Sequence, residues 1–206
     1  MIKQILVGCA ICNLAMPSWA NSIVHTETVK REVSVKACHF RMSDPYGGTL
    51  TENADEKLAN YNAIINPKAR RPFETWISFS CWGATDTSVI SRLAGMRMTD
   101  KGWAIDPQSG YMSFKKAHTT FHSLHGEDWM GGGVSMDDIN GDEVRRTRAY
   151  TFCIIHDQIS LCGAVRYVAY LQHLNESVLP QVIKMLNSIE FVDDPSAASA
   201  HSVSSP

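Results

Sequence analysis

The run Thr151-Phe-Cys-Ile-Ile-His-Asp-Gln-Ile-Ser-Leu-Cys-Gly163 constrains this chain more than any other stretch. It reads as two extended segments around a turn at His156 to Ile159, and pairing Ile155 with Ser160 sets Cys153 opposite Cys162. Directly opposed positions on antiparallel strands bring their α-carbons about 4.5–5.5 Å apart, within disulfide range. A zinc site is the rival reading, but Cys-x8-Cys lacks the close Cys-x2–4-Cys spacing that lets one turn grip a metal.

The compartment follows from the N-terminus. Lys3 supplies a positive charge, Ile5 to Met16 is almost unbroken apolar sequence, and Ser18-Trp19-Ala20 places small residues before a cut after Ala20. These features predict a signal peptide over residues 1–20, an exported protein and a periplasmic or secreted location. Leu6-Val7-Gly8-Cys9 resembles a lipoprotein box, but too few residues precede Cys9 for a charged region and a full apolar core. Cys9 and Cys12 would leave with the leader, so Cys38, Cys81, Cys153 and Cys162 remain in an oxidising environment. Two disulfides are expected there, with Cys38 and Cys81 paired by exclusion.

With 44% hydrophobic and 19% charged residues and a formal charge of −2, the composition is that of a globular protein with too little positive charge to hold nucleic acid. No apolar run after residue 20 is long enough to span a bilayer. Residues 21–192 are expected to form one α+β domain: a central antiparallel sheet, ending in a C-terminal meander, with two to three packed helices. Strands are expected over Val33–Phe40 and Phe73–Cys81, an amphipathic helix over Ala54–Ile65 capped by Asn53, a short helix from Thr87 or Ser88, and a loop from Lys101 to Gly110. The meander strands are placed at Trp129–Ile139, Asp142–Ile155 and Ile159–Leu171, with Asn140-Gly141 as a two-residue turn. Tyr150, Phe152 and Ile154 then share one face, while Val134 and Met136 join the cysteines on the other. Apolar residues on both faces imply cover on each side, or a bulge at Gly131-Gly132-Gly133. A final helix begins near Ser177, Ile189–Val192 adds an edge strand, and residues 193–206 are expected to be disordered.

An antiparallel meander followed by Leu179-Pro-Gln-Val-Ile-Lys-Met-Leu-Asn-Ser-Ile-Glu-Phe-Val-Asp193 resembles the ending of small Mog1/PsbP-like domains. The resemblance covers about the C-terminal third, and the hairpin cysteine pair departs from the usual pattern. It carries no catalytic motif. Exported domains of that kind are similar to non-enzymatic accessory or immunity proteins, so the resemblance implies a binding module whose partner is another protein, such as a secreted toxin.

Chemistry-bearing constellations are few. His118, His122 and His125 stand at i, i+4 and i+7, which on a helix would gather three imidazoles for a metal; Thr119, Thr120 and Phe121 favour a strand instead, and no metal or cofactor is expected. Asp138-Ile-Asn-Gly-Asp142 has the alternating oxygens of a calcium loop but no acid at loop position 12, which is Ala149. Lys68-Ala-Arg-Arg71 and Arg145-Arg146-x-Arg148 are local positive clusters, and on a strand Arg146 and Arg148 would share a side. The segment from His125 to Val134 is expected to project as a glycine-rich loop. Its Glu127, Asp128 and Trp129 would act as partner anchors beside Arg146 and Arg148. Trp129 has a core reading as well. The expected function is therefore protein recognition of the immunity or envelope-accessory type, with a small metal-dependent or serine-type hydrolase as the alternative.

Overall fold

A computed structural model describes residues 29–53, 55–110 and 117–192. The expected signal peptide and the tail from residue 193 lie outside them, as does Ala54. Among the described residues no helix is long and apolar enough to cross a membrane.

Antiparallel strands dominate, and two α-helices are present among the described residues. The main sheet has seven strands: β3 (Thr49–Asn53), β4 (Leu58–Ala63), β5 (Thr75–Gly83), β8 (Thr120–His125), β9 (Met130–Asp137), β10 (Thr147–His156) and β11 (Ile159–Tyr170). Their spatial order is β3-β4-β5-β11-β10-β9-β8. The cysteine hairpin lies at the centre, with Ile155 opposite Ser160 and Cys153 opposite Cys162. Both expected disulfides are present: Cys153–Cys162 with α-carbons 4.0 Å apart, and Cys38–Cys81 at 5.7 Å. Such bonds fit an oxidising, extracytoplasmic setting.

Apolar residues on both faces of the hairpin are explained by cover on each side. One face carries Tyr150, Phe152, Ile154 and Leu161. They pack against a small sheet of β1 (Val29–Val35), β2 (Cys38–Asp44) and β12 (Glu190–Phe191), together with helix α2 (Leu179–Leu186). Phe40, Phe79 and Phe152 form a run of ring contacts through this core, with centroids 5.3 and 5.9 Å apart. The other face carries Cys153, Cys162 and Val134 under helix α1 (Thr87–Ala94) and the hairpin of β6 (Met96–Thr99) and β7 (Gly102–Ile105). The register of β9 on β10 runs without interruption through Gly131, Gly132 and Gly133, so no bulge lies there; the shift falls between Arg148 and Tyr150 on β10. The glycines answer to close approach instead. A Cβ on Gly132 would sit 2.5 Å from the Phe121 ring, and one on Gly133 would sit 2.3 Å from the Tyr150 hydroxyl.

Several expectations are corrected. Ala54–Ile65 is not a helix: Ala59, Tyr61 and Ala63 point inward at period two on β4, and the Asn53 side chain accepts from Glu56 N across a hairpin turn. Val33–Phe40 divides into two strands at a turn where Lys36 takes a left-handed φ of 54°. The loop from Lys101 contains β7. Asn140-Gly141 does not make a two-residue turn; the chain from Asp138 to Arg146 is a longer loop with a 3-10 turn at Glu143–Arg145, and β10 begins only at Thr147.

Asp44 ties the two sheets together. It accepts from Tyr61 Oη at 2.7 Å on β4 and from Arg31 Nε at 3.0 Å on β1. Burial alone would raise its pKa, but the Tyr61 and Arg31 hydrogen bonds and two backbone N–H donors outweigh that and hold the carboxyl below the ordinary range.

Candidate functional site

At the open end of the main sheet, two neighbouring rows of cross-strand partners gather polar side chains on one face. Asp137 is directly opposite Arg148, and Ser135 is opposite both Tyr150 and Thr120. Arg148 grips the Asp137 carboxylate with two donors, Nε to Oδ1 at 2.6 Å and Nη2 to Oδ2 at 3.1 Å. His118 Nδ1 lies 3.0 Å from Asp137 Oδ2. Its φ of 41° is left-handed, uncommon for a residue with a side chain, and its side chain is 73% exposed. One row inward, His122 Nε2 is 2.9 Å from Ser135 Oγ and the His122 ring stands edge-on to Tyr150. The Tyr150 hydroxyl is buried with no hydrogen-bond partner among the described residues, and burial raises its pKa.

These rows border a cleft of about 710 Å³ lined by His118, Arg146 and Arg148, by the carboxylates Asp137, Asp138 and Glu143, and by the apolar Ile139, Leu171 and Leu174. Leu171 and Leu174 belong to the 3-10 segment Leu171–Glu176 that follows β11. The Ser135–His122 contact has the length of a nucleophile and base pair, but Ser135 is 1% exposed and a substrate cannot reach its oxygen in this conformation.

Burial and, secondarily, the Arg148 charge lower the His122 pKa, so the folded protein favours the neutral ring. A histidine with a depressed folded pKa contributes stability above its unfolded value of about 6.5 and loses it as pH falls toward the folded value. Thermal stability should therefore decline as pH drops from about 7 to about 5. His122→Gln should flatten that decline; an unchanged slope in melting temperature against pH would remove His122 as its source.

The histidine triplet does not converge. His122 lies on the face described above and His125 on the opposite one, because three residues along a strand reverse the side, and His118 precedes the strand. Among the described residues no group of three His, Cys, Asp or Glu side chains is placed to hold a metal.

The expected partner loop is also rearranged. Gly131 to Gly133 are buried within β9 and not part of a mobile loop. The connection from β8 is a tight turn closed by Gly126 N to Trp129 O at 3.1 Å, on which Glu127 and Asp128 are exposed. Trp129 is 5% exposed, with Nε1 donating to Ile189 O at 2.8 Å, so its core reading is the one observed. Arg146 and Arg148 do not sit beside this turn: Met130 opposes Ile155 at one end of the β9 and β10 pair, and Asp137 opposes Arg148 at the other. Arg146 is not on the strand but ends the 3-10 turn, where it donates to Gly141 O at 3.2 Å and Asn140 O at 3.4 Å, although both arginines line the same cleft.

One convergence is absent from the sequence reading. The two positive clusters meet in space: Arg71 Nη1 donates to Val144 O at 3.4 Å, and its guanidinium lies 4.4 Å over the Tyr170 ring. Arg70 and Arg145 are both strongly exposed and reach Glu176 and Asp142 at 3.7 and 3.9 Å. Val144 and Leu174 place exposed apolar side chains among them. Comparison of the sequence with protein-family models and with curated proteins gives no match.

Proposed function

We propose that this chain is an exported, non-enzymatic protein-binding domain of the toxin-immunity or envelope-accessory type. Its partner docks where the 66–73 loop, the Glu143–Arg145 turn and the Leu171–Glu176 segment meet. The observation that carries this reading is the contact of Arg71 with Val144, which joins the two basic clusters around exposed Val144 and Leu174, the second of which lines the 710 Å³ cleft. Apolar side chains ringed by arginines suit a partner surface with an apolar anchor and acidic surroundings, because the arginines steer approach and the apolar contacts supply affinity. The ion pairs of Arg70 and Arg145 are exposed and contribute little to folding, which leaves these side chains available for exchange onto a partner carboxylate. Glu127 and Asp128, on the turn at the far end of β9, are left outside this surface.

The test is capture from an envelope extract of the producing cells by wild-type protein and by the Arg70→Glu, Arg145→Glu double variant, followed by titration of the purified captured protein. The reading expects at least a tenfold loss of affinity, about 1.4 kcal/mol or more, with the melting temperature unchanged. Equal affinity of the two would remove this surface. Active-site labelling of Ser135 by a fluorophosphonate would favour the hydrolase reading that its contact with His122 suggests.

A further inference from the structure

Among the described residues, the face of the main sheet that carries α1 is only partly covered. Thr151 Oγ1 donates to Ala94 O at 3.4 Å, which marks where the helix end reaches the sheet. Beyond it a groove of about 380 Å³ crosses β10, β11 and β5, floored by the small side chains Ala149, Thr151, Ala164 and Ser78. Trp76 and Arg166 stand on either strand at its end, one residue beyond the last paired positions Ile77 and Val165.

Trp76 is 48% exposed, yet its orientation is fixed. Its indole N–H donates to Glu74 Oε2 at 3.0 Å, and Asn62 Nδ2 donates to the other oxygen, Glu74 Oε1, at 2.7 Å. A large aromatic surface left in water but held by a two-step hydrogen-bond relay is pre-organised, so a ligand that stacks on it loses little side-chain entropy. Arg166 is exposed, with its guanidinium 5.4 Å over the Tyr167 ring, and it is the one charged residue lining the groove among the described residues. Its planar fork of donors matches a carboxylate.

We propose that this groove binds an acidic saccharide. The ring face that carries C–H groups stacks on Trp76, hydroxyls exchange hydrogen bonds with the Ser78 and Thr151 hydroxyls, and the sugar carboxylate pairs with Arg166. Charge complementarity selects the acidic class, because Arg166 faces a groove with no carboxylate of its own, and Glu74 already accepts from Trp76 and Asn62. The volume is at the small end of ligand sites and fits one or two sugar rings. This site is separate from the arginine surface proposed for a protein partner.

The experiment is a titration of the nitrogen-15-labelled, disulfide-intact protein with a panel of uronic-acid trisaccharides, with cellotriose and with polyglutamate, following the tryptophan indole N–H signals by NMR. The Trp76 signal is assigned with Trp76→Phe. At least one uronic-acid trisaccharide should shift the Trp76 indole saturably, at least tenfold more tightly than cellotriose or polyglutamate. Trp76→Ala and Arg166→Ala, followed in the same spectra through the backbone amide signals of Thr151 and Ala164, should each weaken binding about tenfold or more while the remaining spectrum stays folded. The proposal is overturned by the absence of any saturable shift at Trp76, by equal affinity for cellotriose, by equal affinity for polyglutamate, or by binding that survives Trp76→Ala.

Discussion

Replacing Trp129 by Ala should lower the free energy of unfolding by about 3–5 kcal/mol, with or without a partner present. The indole is enclosed between the β8 to β9 turn and the end of α2, where its N–H satisfies the carbonyl of Ile189. Truncation leaves a cavity and an unpaired buried carbonyl together. Gly126 is fitted to the ring, since a Cβ there would lie 2.1 Å from Trp129 Nε1, so the turn cannot collapse inward to fill the space without losing its shape. Trp129→Phe should recover part of the loss by restoring ring volume without the hydrogen bond. Denaturant unfolding of the three proteins decides the matter, and a loss under about 1 kcal/mol in Trp129→Ala would return the ring to the surface as a partner anchor.

The second large effect is expected from the Cys38–Cys81 bond. It joins β2 of the small sheet to β5 of the main sheet across a sequence separation of 43, whereas Cys153 and Cys162 are 9 apart. Loop-closure entropy then assigns about 4 kcal/mol to the first and about 2.7 kcal/mol to the second. The Cys38→Ala, Cys81→Ala variant should accordingly unfold at a lower denaturant concentration than Cys153→Ala, Cys162→Ala, as intrinsic fluorescence would register. The opposite order would mean that packing lost around the hairpin outweighs chain entropy.

The central sheet was legible in the sequence because cysteines, turn residues and alternation agreed over residues 129–171. The Asn140-Gly141 turn was wrong, yet the faces it implied are right. A two-residue turn there would pair Asp137 with Val144, while the observed partner is Arg148. That displacement is four residues, and an even slip keeps every side chain on its own face. The same slip hid the site: only with the longer loop does Asp137 meet Arg148, and Ser135 meet Tyr150. The N-terminal half was less legible. On β4 the inward positions are Ala59, Tyr61 and Ala63, and two alanines give a period of two almost no hydrophobic contrast, so Leu58, Tyr61 and Ile65 suggested a helix. Asn53 does bond a backbone N–H three residues on, as a helix cap would, but within a hairpin turn. The meeting of Arg71 with Val144 joins segments 73 residues apart, and no local pattern announces it.

The position of Cys153–Cys162 in the two middle strands has a consequence for assembly. Closing so short a loop needs only the hairpin itself, whereas Cys38–Cys81 must wait until both sheets have met. A hairpin that zips one residue out of step throws the two sulfurs to opposite faces and cannot oxidise in that arrangement. Once formed, the bond therefore holds β10 and β11 in their aligned register, and β5 and β9 pair on either side with strands whose alignment is fixed by covalent chemistry.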